Sequence, residues 1–217
     1  MLNGQSYALE SVNQVYPAHW VCTGDTLLRD TLYGGPLYQI GGYWITCHEI
    51  TIDLWDWYTG HYPSERTGDK RPVTNVTRAE VEEVCQIIER SCGQPWRLPT
   101  REEWLFAFKG GLFTEGYRYA GSNDAGNVAW HRGNSRGTKH WIGQRIANEL
   151  ALHDMSGNVA EMVLEGDSVV LLGGSYLDPP LPIERIDACN PDPEAVGFRL
   201  VCTAPLWFDE SGSRVFR

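Results

Sequence analysis

The stretch Glu149-Leu-Ala-Leu-His-Asp-Met-Ser-Gly-Asn-Val-Ala-Glu161 decides the fold of this chain. Within it Asn158 and Glu161 stand three residues apart, with the Val159 carbonyl between them. A hard cation such as calcium takes carboxylate, amide and carbonyl oxygens, and one turn of this chain can supply all three kinds. The same side chains equally close a tight turn by bonding neighbouring backbone, and spacing alone favours the turn. Moving outward, Leu98-Pro-Thr-Arg-Glu-Glu-Trp104 precedes the stretch, and Gly173-Gly174-Ser175 and Gly197-Phe198-Arg199 follow it.

Local signals supply the flanking elements. Thr100 with Glu103 and Thr77 with Glu80 have the spacing of capping boxes, so each pair predicts a helix start. After Thr77, the residues Val81, Val84, Cys85 and Ile88 recur at helical spacing. The helix after Thr100 runs through Trp104, Leu105 and Phe108 and stops at Gly110-Gly111. Tyr38 to Ile45 reads as two short strands around Gly41-Gly42. Thr51 to Tyr58 reads as a short helix with Ile52, Trp55 and Trp57 on its buried side. His61 to Arg71 reads as a surface loop and Val73 to Val76 as a short strand. Val169 to Leu172 and Phe198 to Cys202 read as closing strands. From Gly110 to Ile146 no periodicity persists, and loops of that length in compact domains are usually functional or ligand-held.

In this order the four motifs resemble the formylglycine-generating enzyme (sulfatase-modifying factor) family, a branch of the C-type lectin-like fold. The resemblance covers residues 38–202 and implies an α+β fold of short twisted antiparallel sheets, two or three helices and long irregular loops. One domain over 1–217 is expected, since no repeat or linker divides the chain. The family carries structural calcium at the central motif. The resemblance therefore places the Asn158 and Glu161 side chains and the Val159 carbonyl on such an ion, and the ion and the plain turn then weigh evenly. A second calcium site in the family begins at an Asn in the preceding loop. Asn127 sits at the matching place, but no later ligands match between Arg132 and Ile146.

The family's oxidase branch follows the Gly-Gly-Ser motif with two cysteines five residues apart, which bind copper as thiolates. Here Asp178 and Ile183 hold those positions, and Cys189 is out of register. Copper prefers soft thiolates, so no copper is expected. Ala160 and Met162 also replace the two tryptophans common in the family's motif. A further branch uses non-haem iron held by histidines from an added helical bundle, for which this chain is too short. Its histidines, His19, His48, His61, His131, His140 and His153, show no ligand spacing.

The altered segment, Leu177 to Glu194, holds five prolines in eighteen residues, so it has little entropy left to lose on binding. In lectin-like folds this stretch lies on the ligand-binding face. Tyr176, Asp178, Ile183, Glu184, Arg185 and Asp187 are the ligand-binding residues expected there. The plainer alternative is a stiff loop that covers the core. The family precedent is the variable proteins of diversity-generating retroelements, which diversify residues between the same two motifs. This chain keeps that frame without their Asn/Tyr/Ser-rich stretch.

A formal charge of −10 and the absence of any basic run exclude a nucleic-acid surface. No apolar stretch is long enough to span a bilayer. The N-terminus has neither the basic nor the apolar region of a signal peptide, so a cytoplasmic protein, or one assembled into a phage particle, is expected. The six cysteines form no CxxC pair and are expected to be reduced. No nucleotide loop or nucleophile elbow occurs. The expected function is a non-catalytic binding or structural module recognising a protein or glycan surface, other virion proteins included. Two alternatives stand beside it. One is a metal-dependent enzyme working through His131, His140 or Asp178, and the other is an inactive regulatory or assembly subunit.

Overall fold

The structure is a computed structural model that describes residues 20–29, 36–60, 69–203, 207–208 and 214–215, with side chains described from Tyr43 to Thr203 except that of Cys92. Strands β1 (Trp20–Arg29) and β2 (Pro36–Thr46) form an antiparallel pair. This pair continues through β9 (Val201–Cys202) to β3 (Trp96–Arg97) in one four-stranded sheet, order β1-β2-β9-β3. A second sheet has β6 (Ala160–Glu165) between β7 (Ser168–Leu172) and β8 (Val196–Gly197). Two small pairs complete the strands: β4 (Ala129–Trp130) runs parallel to β5 (Ser156–Gly157), and β10 (Trp207–Phe208) antiparallel to β11 (Arg214–Val215). The helices among the described residues are α1 (Ile52–Thr59), α2 (Arg78–Cys92), α3 (Arg101–Phe108) and the short α4 (Ala125–Val128).

Period-two alternation in the central strands builds two cores on opposite faces. Trp44 on β2, Cys202 on β9 and Met162 on β6 pack with Val81, Val84, Cys85 and Ile88 of α2. Ile45, Val201 and Val163, one residue out of step, pack with Trp104, Ala107 and Phe108 of α3. Both α2 and α3 begin with complete capping boxes. Thr77 accepts from the Glu80 N–H while Glu80 reaches back to the Thr77 N–H at 2.7 Å. Thr100 and Glu103 do the same at 2.8 Å, and Arg97 clamps the Glu103 carboxylate with two 2.7 Å bonds.

Four expectations change in detail. Tyr38 to Ile45 lies within one strand, not two, and the glycine pair falls where the β1 register jumps from Tyr43 to Gln39. Val73 to Val76 is irregular. Asn75 sits at φ 60° and spends its N–H on the Pro193 carbonyl, outside any ladder. In Phe198 to Cys202 only the last two residues are strand. Along α1, Ile52 and Trp55 pack half-buried on the first core together with Leu54 and Tyr58, without Trp57. Of the loop expected at His61 to Arg71, residues 61–68 lie outside the described residues, as do His19 and His61. No helix among the described residues is long and apolar enough to cross a membrane.

Candidate functional site

The central motif forms a turn that locks three segments together. Gly157 has φ 79°, and a Cβ there would stand 2.2 Å from the Trp130 carbonyl oxygen, so only glycine fits. The Asn158 N–H donates to that carbonyl at 2.8 Å, and the Gly157 N–H donates to Gly173 at 3.0 Å. The Asn158 carbonyl accepts from Tyr176, which seats the Gly-Gly-Ser segment against the turn.

Beneath the turn lies a buried charge centre. The Arg199 guanidinium is fully buried and clasps Glu161 through two 2.7 Å bonds. Arg199 also donates to the carbonyls of Thr46 and His153 at 2.9 Å. Glu161 takes a third bond from Trp104 Nε1 at 2.6 Å. Glu49 is 2% exposed and accepts from Asn158 Nδ2 at 3.0 Å and from the Val159 N–H at 3.3 Å. Burial, then the neighbouring carboxylates Asp154 and Glu161, push the Glu49 carboxyl well above its ordinary range, with Arg199 opposing. Asp154, also 2% exposed, accepts from the Gly143 N–H through Oδ2 at 2.7 Å. Its Oδ1 is buried without a partner, and burial raises its carboxyl too.

Among the described residues no group of three or more His, Cys, Asp or Glu side chains is arranged to hold a metal ion. The expected calcium ligands are divided. Asn158 and Glu161 meet at the turn, with both carboxylate oxygens of Glu161 taken and the Asn158 Oδ1 accepting from the His140 N–H at 2.9 Å. Asn127 is exposed and contributes its carbonyl to Ile146. Sequence reasoning missed Glu49, Asp154 and Arg199. Arg199 and Asp154 had a signal, as the last residue of the Gly197-Phe198-Arg199 motif and as a member of the central 149–161 stretch.

The proline-rich loop is pinned from within. Asp178 is 5% exposed. Its Oδ2 accepts from the Ser175 N–H at 2.9 Å and the Ser175 hydroxyl at 2.7 Å, and its Oδ1 accepts from the Asn190 N–H at 2.9 Å. Cys189 accepts from the Gly174 N–H and donates to the Ile186 carbonyl. Burial pushes its thiol up to about 12, which removes thiolate reactivity at neutral pH. Ile183 packs half-buried on the second core, and Tyr176 is buried with its hydroxyl donating to the Glu194 carbonyl at 3.3 Å. Glu184, Arg185 and Asp187 are exposed, with Asp187 paired to Arg101 at 2.8 Å. The six residues expected to bind ligand thus divide into three pins below the loop and three groups displayed on it.

The loop histidines are occupied separately. His140 stacks on Trp130 at 3.7 Å and its Nε2 bonds the Ser135 carbonyl, while Arg145 lies 3.7 Å from the same Trp130 ring. His131 accepts from the Gly133 N–H, and burial with nearby Arg145 holds its pKa below the ordinary range. Among the described residues, Cys47, Cys85, Cys189 and Cys202 are in the thiol form.

The profile of the sulfatase-modifying factor enzyme 1-like domain matches residues 19–204. A protein named chaperone protein LppX, from Paenibacillus barcinonensis, is 28% identical over 186 aligned residues, covering 63% of this chain and 66% of its own length. The chain therefore spans just under two thirds of that relative. The crystal structure of CarF superposes with a TM-score of 0.62 at 23% identity, over 86% of this chain and 97% of that one. Treponema denticola variable protein 1 gives 0.61 at 21% identity, over 86% and 95%. PvdO from Pseudomonas aeruginosa gives 0.59 at 19% identity, over 84% and 90%. At these identities the solved structures establish a shared fold.

Proposed function

The chain belongs to the sulfatase-modifying factor enzyme 1-like domain family, and on that premise we propose that it is a non-catalytic binding or structural module. Its working face is the loop from Leu177 to Glu194. The observation that carries this reading is the state of the two positions where the oxidase branch keeps cysteines. Asp178 spends its carboxylate holding Ser175 and Asn190, and Ile183 packs against the core. A carboxylate committed to hydrogen bonds and an aliphatic side chain supply no soft ligand, so these residues do not fit copper. They stiffen a loop that displays Glu184, Arg185 and Asp187. A relative named as a chaperone favours a protein surface over a glycan as the partner.

Calcium enters this proposal as a structural ion at the charge centre. Three buried carboxylates face one guanidinium there, and Asp154 Oδ1 is the oxygen left unsatisfied. Asp154 Oδ1 would face the ion, with Glu161 keeping Arg199.

Two measurements test the reading. Elemental analysis of the purified protein should find no stoichiometric copper or iron, and a cysteine-containing peptide should remain unoxidised under oxygen with either metal added. Stoichiometric redox metal or peptide turnover would overturn the proposal. Thermal melting before and after chelator should show a lower midpoint without calcium, and Asp154→Asn should abolish that response.

A further inference from the structure

Lys139 is an unusual cation in this acidic chain. It lies where segment 69–76 meets segment 138–142, a junction fastened by the Ile142 N–H donating to the Lys70 carbonyl at 3.0 Å. The ammonium is half-buried. Among the described residues its one hydrogen bond runs to a neutral group, Thr74 Oγ1, at 2.5 Å, and no carboxylate ion pair reaches it. Burying a charge without a counterion is costly, and a second cation adds to the cost. Burial first, and the charge of Arg71 next, hold the Lys139 ammonium below its ordinary range, while Glu194, Asp69 and Glu49 act in the opposite direction.

Arg71 is itself only partly spent. Its Nε and Nη2 engage the Asp69 carboxylate at 2.6 to 3.1 Å, which leaves Nη1 without a partner among the described residues. Its side chain is 46% exposed. The two neighbouring cations thus keep unused N–H donors, and the Thr74 hydroxyl, which accepts from Lys139, still has its own proton to donate. Charge-assisted N–H donors on two cations that feel each other's charge, with a hydroxyl in contact with one of them, suit an oxyanion.

We propose that the notch formed by Lys139, Arg71 and Thr74 is a binding site for an oxyanion, a carboxylate or a phosphate group. The anion bonds Lys139 Nζ and Arg71 Nη1 and accepts from the Thr74 hydroxyl. None of these donors comes from the proline-rich loop, so the site stands independently of the binding-face reading. Glu194, exposed on that loop, is the internal carboxylate that competes for Lys139.

The test is thermal melting of the intact chain at fixed low ionic strength, titrated separately with inorganic phosphate and with sodium acetate against a chloride reference. An anion that binds only the folded state raises the midpoint in proportion to its occupancy. The wild type should respond to at least one anion. Lys139→Met should weaken the response about tenfold, as expected for losing a charged hydrogen-bond donor. Lys139→Arg and the neighbouring Lys70→Met should keep the response. Should Lys139→Met fail to fold, Arg71→Gln carries the same comparison. A response to phosphate alone identifies a phosphoryl ligand, and a response to acetate identifies a carboxylate such as an acidic side chain. No response to either anion, or equal responses in wild type and Lys139→Met, would overturn the proposal.

Discussion

Arg199 and Glu161, 38 residues apart in sequence, form a fully buried two-point ion pair at the meeting of β2, β6, α3 and the central motif. The pair ties the second core to β2 and the central motif, because Trp104 of α3 bonds the same carboxylate and the Thr46 and His153 carbonyls bond the same guanidinium. Removing one partner strands the other charge away from water. Arg199→Met should therefore cost about 3–5 kcal/mol in urea unfolding. Lysine at this position should recover little, since a single ammonium cannot repeat the forked geometry. A loss below about 1 kcal/mol would show that the centre is more open to solvent than its burial indicates.

Gly157 should tolerate no side chain. Gly157→Ala places a Cβ 2.2 Å from a backbone oxygen at φ 79°, where neither partner is flexible. The expected cost exceeds about 3 kcal/mol, in the range reserved for clashes and strain in a packed core. Gly166→Ala is the matched control. It also has positive φ, 59°, but nothing lies within 4 Å of the new methyl group, so about 1–2 kcal/mol is expected from conformation alone. Equal losses at the two sites would mean that the motif turn moves to admit a methyl group.

The legible parts of this structure are the ones written locally. Thr77 with Glu80 and Thr100 with Glu103 needed only three-residue spacings, and both capping boxes formed as expected. Glu49 was not legible, because its partner Asn158 lies 109 residues away and no nearby pattern marks a glutamate that will be buried. Val73 to Val76 holds three β-branched residues, which favour a strand, yet Asn75 turns left-handed to reach Pro193. Asp178 was found by its position in the motif. Its bond to Asn190, twelve residues on, depends on the path of a proline-rich loop that spacing cannot trace.

Asp178 holds the loop more firmly than any displayed side chain. Asp178→Ala would leave the Ser175 N–H, the Ser175 hydroxyl and the Asn190 N–H without their acceptor. Unsatisfied buried donors of this kind cost about 1–3 kcal/mol each before water relieves them. The expected result is a loss of about 3 kcal/mol in unfolding free energy, with protease cleavage between Leu177 and Glu194 becoming faster than in the wild type. Glu184→Ala, at an exposed position, should change neither. Unchanged cleavage in Asp178→Ala would assign the loop's stiffness to its prolines alone.

The charge centre also sets a pH dependence. Glu49 and Asp154 both have carboxyls raised by burial in the folded chain. A raised carboxyl binds its proton more tightly when folded than when unfolded. The folded state therefore carries more protons at every pH between the ordinary carboxylate range and the raised values, and stability falls as pH climbs through that window. Each proton contributes a slope of at most about 1.4 kcal/mol per pH unit. Because the net charge of −10 adds its own slope of the same sign, the measurement is a difference between proteins. Urea midpoints taken from acid to neutral pH should fall less steeply in Glu49→Gln than in the wild type, and less steeply still in Glu49→Gln with Asp154→Asn. Parallel slopes in all three would mean that both carboxylates titrate in the ordinary range. The charge centre would then be hydrated, and the case for a cation at Asp154 would lose its electrostatic basis.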